Sequence, residues 1–421
     1  MNRNLNQSAL RVLCVNQYYW PNAAATSQLL QDLAEDLVRA GHDVTVVCSR
    51  APYVDEANEH ARGLRAAQET HNNVRILRVT GSKFGRSSGW GRVADYLTFY
   101  VSAVTTILRV KHVDVLLVET TPPLILIGSA LAAWVRKVPI VHVVQDLYPE
   151  VAEALGIMKP GSIVSALFHH AHRWALCRCD VVVALGRDMA LELESAYRIP
   201  KGLLQIIPNW ADGAALECQT SAITSLRKTW ALGARKIVMY SGNLGRAHSY
   251  EEFLSVAQRW NLKEDVAFVF VGGGQSWWAA KRSAETLGLS NTRFLPYQQR
   301  GLLGASLALG DVHLVSQRPE TTGLLVPSKL YGILAVGRPV VFVGSTGAEV
   351  ARVLAEIGAG LTVEPGDVDG LESALHSFLS NSLACERAAE AGRDYMRRFG
   401  ERGLRTQQYR RLLERAAAMT P

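Results

Sequence analysis

The residues with the clearest chemical potential run from Pro327 to Val343. Pro327 sits just ahead of a helical first turn, and Ser328 is placed to cap it. Lys329 follows at once. Gly337 can close the helix, Pro339 forbids its continuation, and Val340 to Val343 then reads as a buried strand. A helix N-terminus offers free N–H groups and partial positive charge, to which Lys329 adds a full charge. In outline this is a diphosphate site, and a nucleotide-sugar is a ligand that would suit it.

Other groups of residues point the same way, each with a plainer alternative. Tyr240 to His248 follows a strand-like run. Gly242 and Gly245 let backbone approach an anion, Asn243 lies between them, and Arg246 and His248 can reach phosphate oxygens. An ordinary strand-to-helix turn with exposed charges would look similar. The spacing is not G-x-G-x-x-G, which disfavours a dinucleotide cofactor. Gly272-Gly273-Gly274 ends another strand and could admit a ligand close to the backbone, or simply turn the chain. Leu295-Pro296-Tyr297 ends the next strand. Its backbone could read a base edge and Tyr297 could stack, although a core aromatic fits equally. Glu320 lies in a loop just beyond a strand, where a carboxylate could hold sugar hydroxyls or merely be solvated. Leu324 is counted among the donor-binding positions.

In the N-terminal half, Trp20 to Ser27 forms a loop of small residues that would let a sugar or phosphate approach a helix, with an N-cap by Thr26 or Ser27 as the alternative. Asp146, in Gln145-Asp146-Leu147-Tyr148-Pro149, is a candidate acid/base or acceptor-binding group, or else a helix cap. Asp367-Val368-Asp369 has the D-x-D form of a metal–diphosphate signature. It follows Pro365-Gly366 and opens an amphipathic helix, so capping is the better reading and no metal is expected. His169, His170 and His172, beside Arg173, lack the company that zinc needs, and a polar or membrane-facing helix is the better reading.

The elements that must position these residues alternate between apolar runs and segments of helical period, twice over. Strands are expected at 11–16, 44–48, 74–79, 113–119, 140–144, 181–185 and 204–207, and again at 236–241, 266–271, 292–295, 312–316 and 340–343. A break near Phe399-Gly400 interrupts the last helical stretch. The fold class is therefore α/β, with two doubly wound halves facing a central cleft. With 421 residues and 48% hydrophobic content, two cores are affordable. The six cysteines show no metal spacing and read as reduced thiols. The start is polar, with no signal peptide expected, and no apolar run is long enough to span a bilayer. A net charge of +7 suits an acidic partner. Between Gly81 and His112, Lys83, Arg86, Arg92, Arg109 and Lys111 alternate with Phe84, Trp90, Tyr96, Phe99 and Tyr100. That mixture fits an anionic membrane surface, or a solvated face over buried aromatics. No nucleic-acid module is present.

Taken together, these strings resemble the retaining glycosyltransferases of family 4, which have the GT-B fold of two Rossmann-like domains. The resemblance covers about Val12 to Leu412. It is nearest to the bacterial branch that builds surface polysaccharides, including L-fucosamine transferases of O-antigen clusters and colanic-acid transferases. It rests on the loop at 21–27 with Ala40 to Val44, on Gln145 to Pro149, on Ser241 to His248, and on Pro327 to Tyr331 with Gly337 to Val340. It implies an acceptor-binding domain over 1–212, a nucleotide-sugar domain over 235–395, and a helix over 396–421 crossing back to the first domain; between the domains, 213–234 lacks strong periodicity and reads as a linker, with room for a helix near 222–230.

The implied reaction moves a sugar, a HexNAc or deoxyaminosugar, from UDP to a polyprenyl-diphosphate-linked acceptor on the inner face of the cytoplasmic membrane. It proceeds without a metal, and the β-phosphate oxygen helps to deprotonate the acceptor. Arg246 and Lys329 would stabilise the leaving diphosphate with N–H groups near Ser328, Glu320 would orient the donor sugar, and Asp146 the acceptor hydroxyl. The chain departs from the family in two places. Asn243 and His248 stand where many members carry Arg and Lys, so Arg246 is expected to supply the charge. Gly332 stands where many carry the second glutamate of a Glu-x7-Glu pair. A nucleotide-sugar epimerase and a catalytically silent nucleotide-sugar-binding subunit are the alternatives.

Overall fold

The computed structural model describes residues 9–22, 24–50, 67–79, 89–262 and 265–419, the side chains of residues 89–95 excepted. Lys83, Phe84 and Arg86 of the basic–aromatic stretch thus lie outside the described residues, as do the side chains of Trp90 and Arg92. The chain divides into two units, 1–208 with 403–421, and 209–402.

The first unit is built on strands β1 (Arg11–Val15), β2 (Asp43–Ser49), β3 (Gln68–His71), β4 (Val74–Val79), β5 (Val115–Glu119), β6 (Ile140–Val144), β7 (Val181–Ala184) and β8 (Leu204–Ile206). They pair in the order β3-β4-β2-β1-β5-β6-β7-β8. Every pairing is parallel except β3 with β4. The central strands are rich in Val, Ile and Leu, as expected of a parallel sheet buried on both faces, with Thr45, Glu119 and His142 as buried polar exceptions. The edge strand β3 was not expected, since Gln68-Glu69-Thr70-His71 has no apolar signal. Its mark is Asn72-Asn73, both at positive φ (49° and 63°), a tight hairpin turn that asparagine tolerates.

The first unit's helices are α1 (Ala25–Arg39), α2 (Gly89–Arg109), α3 (Ile125–Arg136), α4 (Glu150–Ala154), α5 (Ile163–Leu176) and α6 (Arg187–Tyr197). In α1, Leu29, Leu30, Leu33 and Leu37 are buried at helical spacing. The helix starts at Ala25 behind an uncapped Ala24, so Thr26 and Ser27 lie inside its first turn rather than capping it.

The second unit has a six-stranded, wholly parallel sheet of β9 (Lys236–Asn243), β10 (Val266–Gly273), β11 (Thr292–Leu295), β12 (Val312–Ser316), β13 (Val340–Val343) and β14 (Gly360–Val363), ordered β11-β10-β9-β12-β13-β14. Residues 213–234, expected as a linker, belong to this unit. They form α7 (Gly213–Leu216) and α8 (Thr220–Thr229), and Leu226, Trp230 and Leu232 share a core with Ile237, Met239 and Val269. The periodicity of α8 is weak because that core takes only a few of its side chains. On the other face α9 (Glu251–Arg259) and α10 (Gln275–Thr286) bring Phe253 and Trp277 against Phe268 and Phe270.

Next along the chain come α11 (Leu303–Leu309) and α12 (Lys329–Ala335). At the end of α12, Gly337 N–H bonds the Leu334 carbonyl at 3.0 Å and Arg338 N–H the Ile333 carbonyl at 3.2 Å, with Gly337 at φ 68°. This is the left-handed cap that glycine permits, at the stop read from the sequence. The remaining helices are α13 (Glu349–Ile357), α14 (Val368–Leu379), α15 (Ser382–Tyr395) and α16 (Arg402–Met419). Asp367 caps α14, accepting from Gly370 N–H at 2.8 Å. From Gly403 onward α16 belongs to the first unit, where Tyr409, Leu413 and Ala416 are buried and Glu414 lies 3.4 Å from the His42 ring.

Candidate functional site

In the second sheet, chain order reverses direction between β9 and β12. Loops leaving the carboxyl ends of two such strands diverge and leave a crevice, the usual ligand position in an open parallel sheet. The loop after β9 carries Asn243 to His248, and the loop after β12 carries Gln317 to Thr322. They are tied together here: the His248 ring donates through Nδ1 to the Ser316 carbonyl, and Ser316 Oγ donates to the Ser249 carbonyl at 2.7 Å. The buried Gln317 amide donates to the Thr321 and Leu325 carbonyls at 2.9 and 3.0 Å, which shapes the loop holding Glu320.

Lys329, the first residue of α12, projects into this junction. Its ammonium donates to Tyr240 Oη and to the Asn243 carbonyl at 3.3 Å, and stands 3.5 Å from His248 Nε2. Nζ also lies 4.2 Å from the centre of the Tyr240 ring. A carbonyl can only accept, so the Ser316 contact puts the imidazole proton on Nδ1 and leaves the Nε2 lone pair facing Lys329. Burial holds His248 well below its ordinary value, with the Lys329 charge adding to the effect. Lys329 keeps part of its surface open to solvent, yet desolvation pulls its ammonium down to about 7. Its partners among the described residues are neutral acceptors. Such a cation is held in place and ready for an incoming anion.

Glycines make the floor. Gly242 is at φ 128°, and a Cβ there would stand 3.4 Å from Lys329 Cε. Gly272 is at φ 138°, where a Cβ would come within 2.1 Å of the Gly242 carbonyl oxygen. At Gly274, φ 116°, it would meet Asn243 Oδ1 at 2.4 Å and the Leu244 carbonyl at 2.5 Å. The paired ends of β9 and β10 can lie this close only without side chains. Gly245 offers its carbonyl to Ser276 Oγ at 3.0 Å. Tyr297 lies over Gly273, with its ring 3.0 Å from where a Cβ would be.

The structure therefore brings Gly242, Asn243, His248 and Lys329 together, and separately Gly273 with Tyr297. Leu295 is half-buried at the end of β11, Pro296 is exposed, and Leu324 is buried in the loop before α12. Arg246 and Glu320 are both exposed, the latter in a tight turn over Pro319–Thr321. Ser328 does not cap α12: it has helical φ and ψ, and its hydroxyl accepts nothing from the first turn. The preceding Pro327 is itself buried, and the turn is closed by backbone bonds from Leu330 and Tyr331. Tyr240 was read only as part of its motif. Its position as last inward-facing aromatic of β9, just before the glycines, was the available signal.

In the first unit chain order reverses between β1 and β5. Asp146, two residues past β6, is pushed up to about 6 by desolvation. It does not cap α4, whose N-cap is Pro149. Glu119, the last residue of β5, was missed by sequence reasoning. It is 4% exposed, its Oε2 has no hydrogen-bond partner among the described residues, and burial pushes it up to about 8. The signal was an acid closing an otherwise apolar run. His169 sits between Glu150 and Glu153 at 3.4 and 3.2 Å, and His172 is buried. Among the described residues no cluster of His, Cys, Asp or Glu could hold a metal ion, and no helix is long and apolar enough to cross a membrane.

Known proteins fit this architecture. The chain matches the family models "Glycosyltransferase Family 4" over residues 26–214 and "Glycosyl transferases group 1" over 223–395. A Pseudomonas aeruginosa protein named as a glycosyltransferase, WbjE, is 28% identical over 65% of this chain and 68% of its own length. An Escherichia coli protein named as a colanic acid biosynthesis glycosyl transferase, WcaI, is 26% identical over 90% of this chain and 95% of its own. A GDP-mannose-dependent alpha-mannosyltransferase of Mycolicibacterium smegmatis is 26% identical over 90% of both chains. Among solved structures, sucrose-phosphate synthase from Thermosynechococcus elongatus superposes with a TM-score of 0.75 at 14% identity, covering 97% of this chain and 99% of that one. Anabaena HepE, solved with UDP and glucose, gives 0.72 at 16% identity over 96% and 100%. The fold is GT-B, and the chain joins a Glycosyltransferase Family 4 domain to a Glycosyl transferases group 1 domain.

Proposed function

We propose that this enzyme transfers a HexNAc or deoxyaminosugar from a UDP-sugar to a polyprenyl-diphosphate-linked saccharide in the assembly of a bacterial surface polysaccharide such as O-antigen, with retention of configuration and without a metal. The observation that carries the reading is the Lys329 ammonium held by Tyr240, Asn243 and His248 at the β9/β12 switch point. As the bond from the sugar C1 to the β-phosphate oxygen breaks, negative charge grows on the diphosphate, and a fixed cation there stabilises it. The new bond joins C1 to the acceptor oxygen, and the acceptor proton goes to the departing β-phosphate. Gly242, Gly245 and Gly273 give the diphosphate and sugar room against backbone. Leu295 and Tyr297 would flank the base, Leu324 and Ser328 the neighbouring wall, and Arg246 the outer phosphate edge. Glu320 would orient the donor sugar, and Asp146 the acceptor hydroxyl. The name of WcaI supports the polysaccharide setting, and the HepE complex supports UDP.

A panel of UDP-, GDP- and ADP-sugars, assayed for nucleotide release with and without a lipid-diphosphate acceptor, tests this. Acceptor-dependent release of UDP, undiminished by EDTA, is the expected result. A preference for GDP-mannose would move the donor towards that of the mycobacterial relative. Acceptor-free conversion of the sugar would indicate an epimerase, and tight UDP binding with no turnover a silent subunit.

A further inference from the structure

Helix α3 packs against both α2 and α5. The three together expose more large apolar side chains than a soluble surface needs. Leu97 and Val101 of α2, Trp134 and Val135 of α3, and Ile163 and Leu167 of α5 all face solvent, with Trp134 and Leu167 each 65% exposed and Ile163 89%. So many exposed large apolar side chains on three neighbouring helices mark something they meet. At the C-terminal end of α3 the face opens into a cavity of about 510 Å³, lined by Trp134, Val138 and Pro139 together with Lys137, Arg178 and Asp180.

Charge identifies the occupant. From Tyr96 onward α2 carries no Asp or Glu, and neither do α3 and α5. Arg109, Lys111, Lys137, Lys159, Arg173 and Arg178, on these helices or the turns beside them, are all exposed. Arg178 lies with its guanidinium 4.1 Å over the Trp174 ring. Asp180, the acid at the cavity, is already engaged by Ile140 N–H at 2.8 Å. Self-pairing of this face would bring cations against cations, which disfavours a second copy. Apolar side chains standing among cations suit a layer that is negative at its surface and apolar beneath.

We propose that the α2–α3–α5 face of the first unit docks on an anionic bilayer, with Trp134, Ile163 and Leu167 entering the acyl boundary and an acidic phospholipid headgroup seated at Lys137 and Arg178. This deepens the reading of a lipid-linked acceptor and rests on it only for its biological purpose. Its α2 part lies within the basic–aromatic stretch of residues 81–112 and shares Arg109 and Lys111 with it. The structure adds α3, which the sequence alone did not single out, and packs it against α5, the helix that carries His169, His170 and His172.

The test is flotation of the full chain with vesicles of phosphatidylcholine containing phosphatidylglycerol, against pure phosphatidylcholine. Wild-type protein floats with the anionic vesicles, and binding falls at high salt. The pair Trp134→Ser/Leu167→Ser and the pair Lys137→Glu/Arg178→Glu each reduce the bound fraction about tenfold. Because all four residues are exposed, the melting temperature holds. The charge pair removes little apolar surface, so it remains decisive even if the first pair were to disturb folding. Wild-type protein that stays unbound, or variants that float as wild type does, would overturn the proposal. So would a solution dimer that Trp134→Ser/Leu167→Ser converts to monomer. UDP release from a water-soluble acceptor reports on the transferase reading separately: flotation without turnover leaves the docking face standing, and turnover without flotation leaves the enzyme standing.

Discussion

The ammonium of Lys329 lies 4.2 Å from the centre of the Tyr240 ring and donates to that ring's hydroxyl. One charge is thereby fixed at the end of β9 by an aromatic that is itself wholly buried. Replacing Lys329 with alanine removes the cation and leaves the Tyr240 hydroxyl its bond to the Asn243 carbonyl at 3.0 Å. We expect kcat to fall by roughly 10²–10³ with the fold intact. Circular dichroism and steady-state kinetics check both. Wild-type turnover with unchanged donor affinity would show that the diphosphate lies elsewhere.

The same lysine sets a pH dependence for donor binding. Its ammonium titrates near 7 in the free protein, against an ordinary 10.5. A bound diphosphate favours the charged form and raises that value. Donor affinity is therefore greatest below pH 7 and weakens as pH rises through 7, by up to about tenfold per unit until the bound-state value is passed. Calorimetry in buffers of different ionisation enthalpy should detect proton uptake near pH 7.5. Lys329→Ala should abolish the uptake.

At Gly272 an added methyl would collide with the Gly242 carbonyl at 2.1 Å, in a backbone conformation alanine avoids. Gly272→Ala should cost about 2–4 kcal/mol and disturb donor binding. Gly301→Ala, where nothing lies within 4 Å, is the control. Urea denaturation of the two variants gives the comparison, and equal midpoints would refute the account of a close approach at Gly272.

Gly332, where the family often carries a glutamate, lies inside α12. A Cβ there would meet only Leu307 Cδ1, at 3.4 Å. Gly332→Ala should raise stability by about 0.5–1 kcal/mol through helix propensity and a less disordered unfolded chain. Donor affinity should be unchanged. A loss of affinity would show that the ligand approaches this backbone closely.

In the first unit, burial holds His142 near 4 and His172 near 3, both below the ordinary 6.5. Both are neutral when folded and take up protons when unfolded. The stability present above pH 6.5 is lost as pH falls from 6.5 towards 4, on the order of 2–3 kcal/mol for each ring. Neither nitrogen of His172 has a hydrogen-bond partner among the described residues, and its ring stands edge-on to Tyr197 at 5.4 Å. His172→Phe should keep that contact and flatten the acid limb of the melting profile. An unchanged slope would assign the acid sensitivity to other groups.

Most strands and the Gly337 stop were legible because parallel sheets and left-handed caps leave local marks, Val/Ile-rich runs and a glycine near a proline; β14, whose Gly360-Leu361-Thr362-Val363 is too short and mixed to stand out, was missed. The gathering of Gly242, Asn243, His248 and Lys329 was legible as a set of motifs. What sequence withheld was relational. That Tyr240 would be the partner of Lys329, or that Ser316 would fix the His248 tautomer, depends on which strands are neighbours. Residues 213–234 read as a linker because a helix touching one small core needs few apolar residues. Ser328 had the chemistry of a cap, but its backbone already follows the helix. Glu119 was overlooked because an acid at a strand end is ordinarily solvated.

The return of residues 403–419 to the first unit also sets an order of events during synthesis. A ribosome delivers β1 to β8 first, but Tyr409, Leu413 and Ala416, which fill part of that unit's core, emerge only after the whole second unit. At ordinary elongation rates the wait is on the order of 10 to 40 s. During that time the nascent first half holds an open apolar seam, a natural place for a chaperone to bind. For the same reason, a deletion of the last helix would be felt at the opposite end of the gene product, in a unit whose own contiguous sequence is untouched.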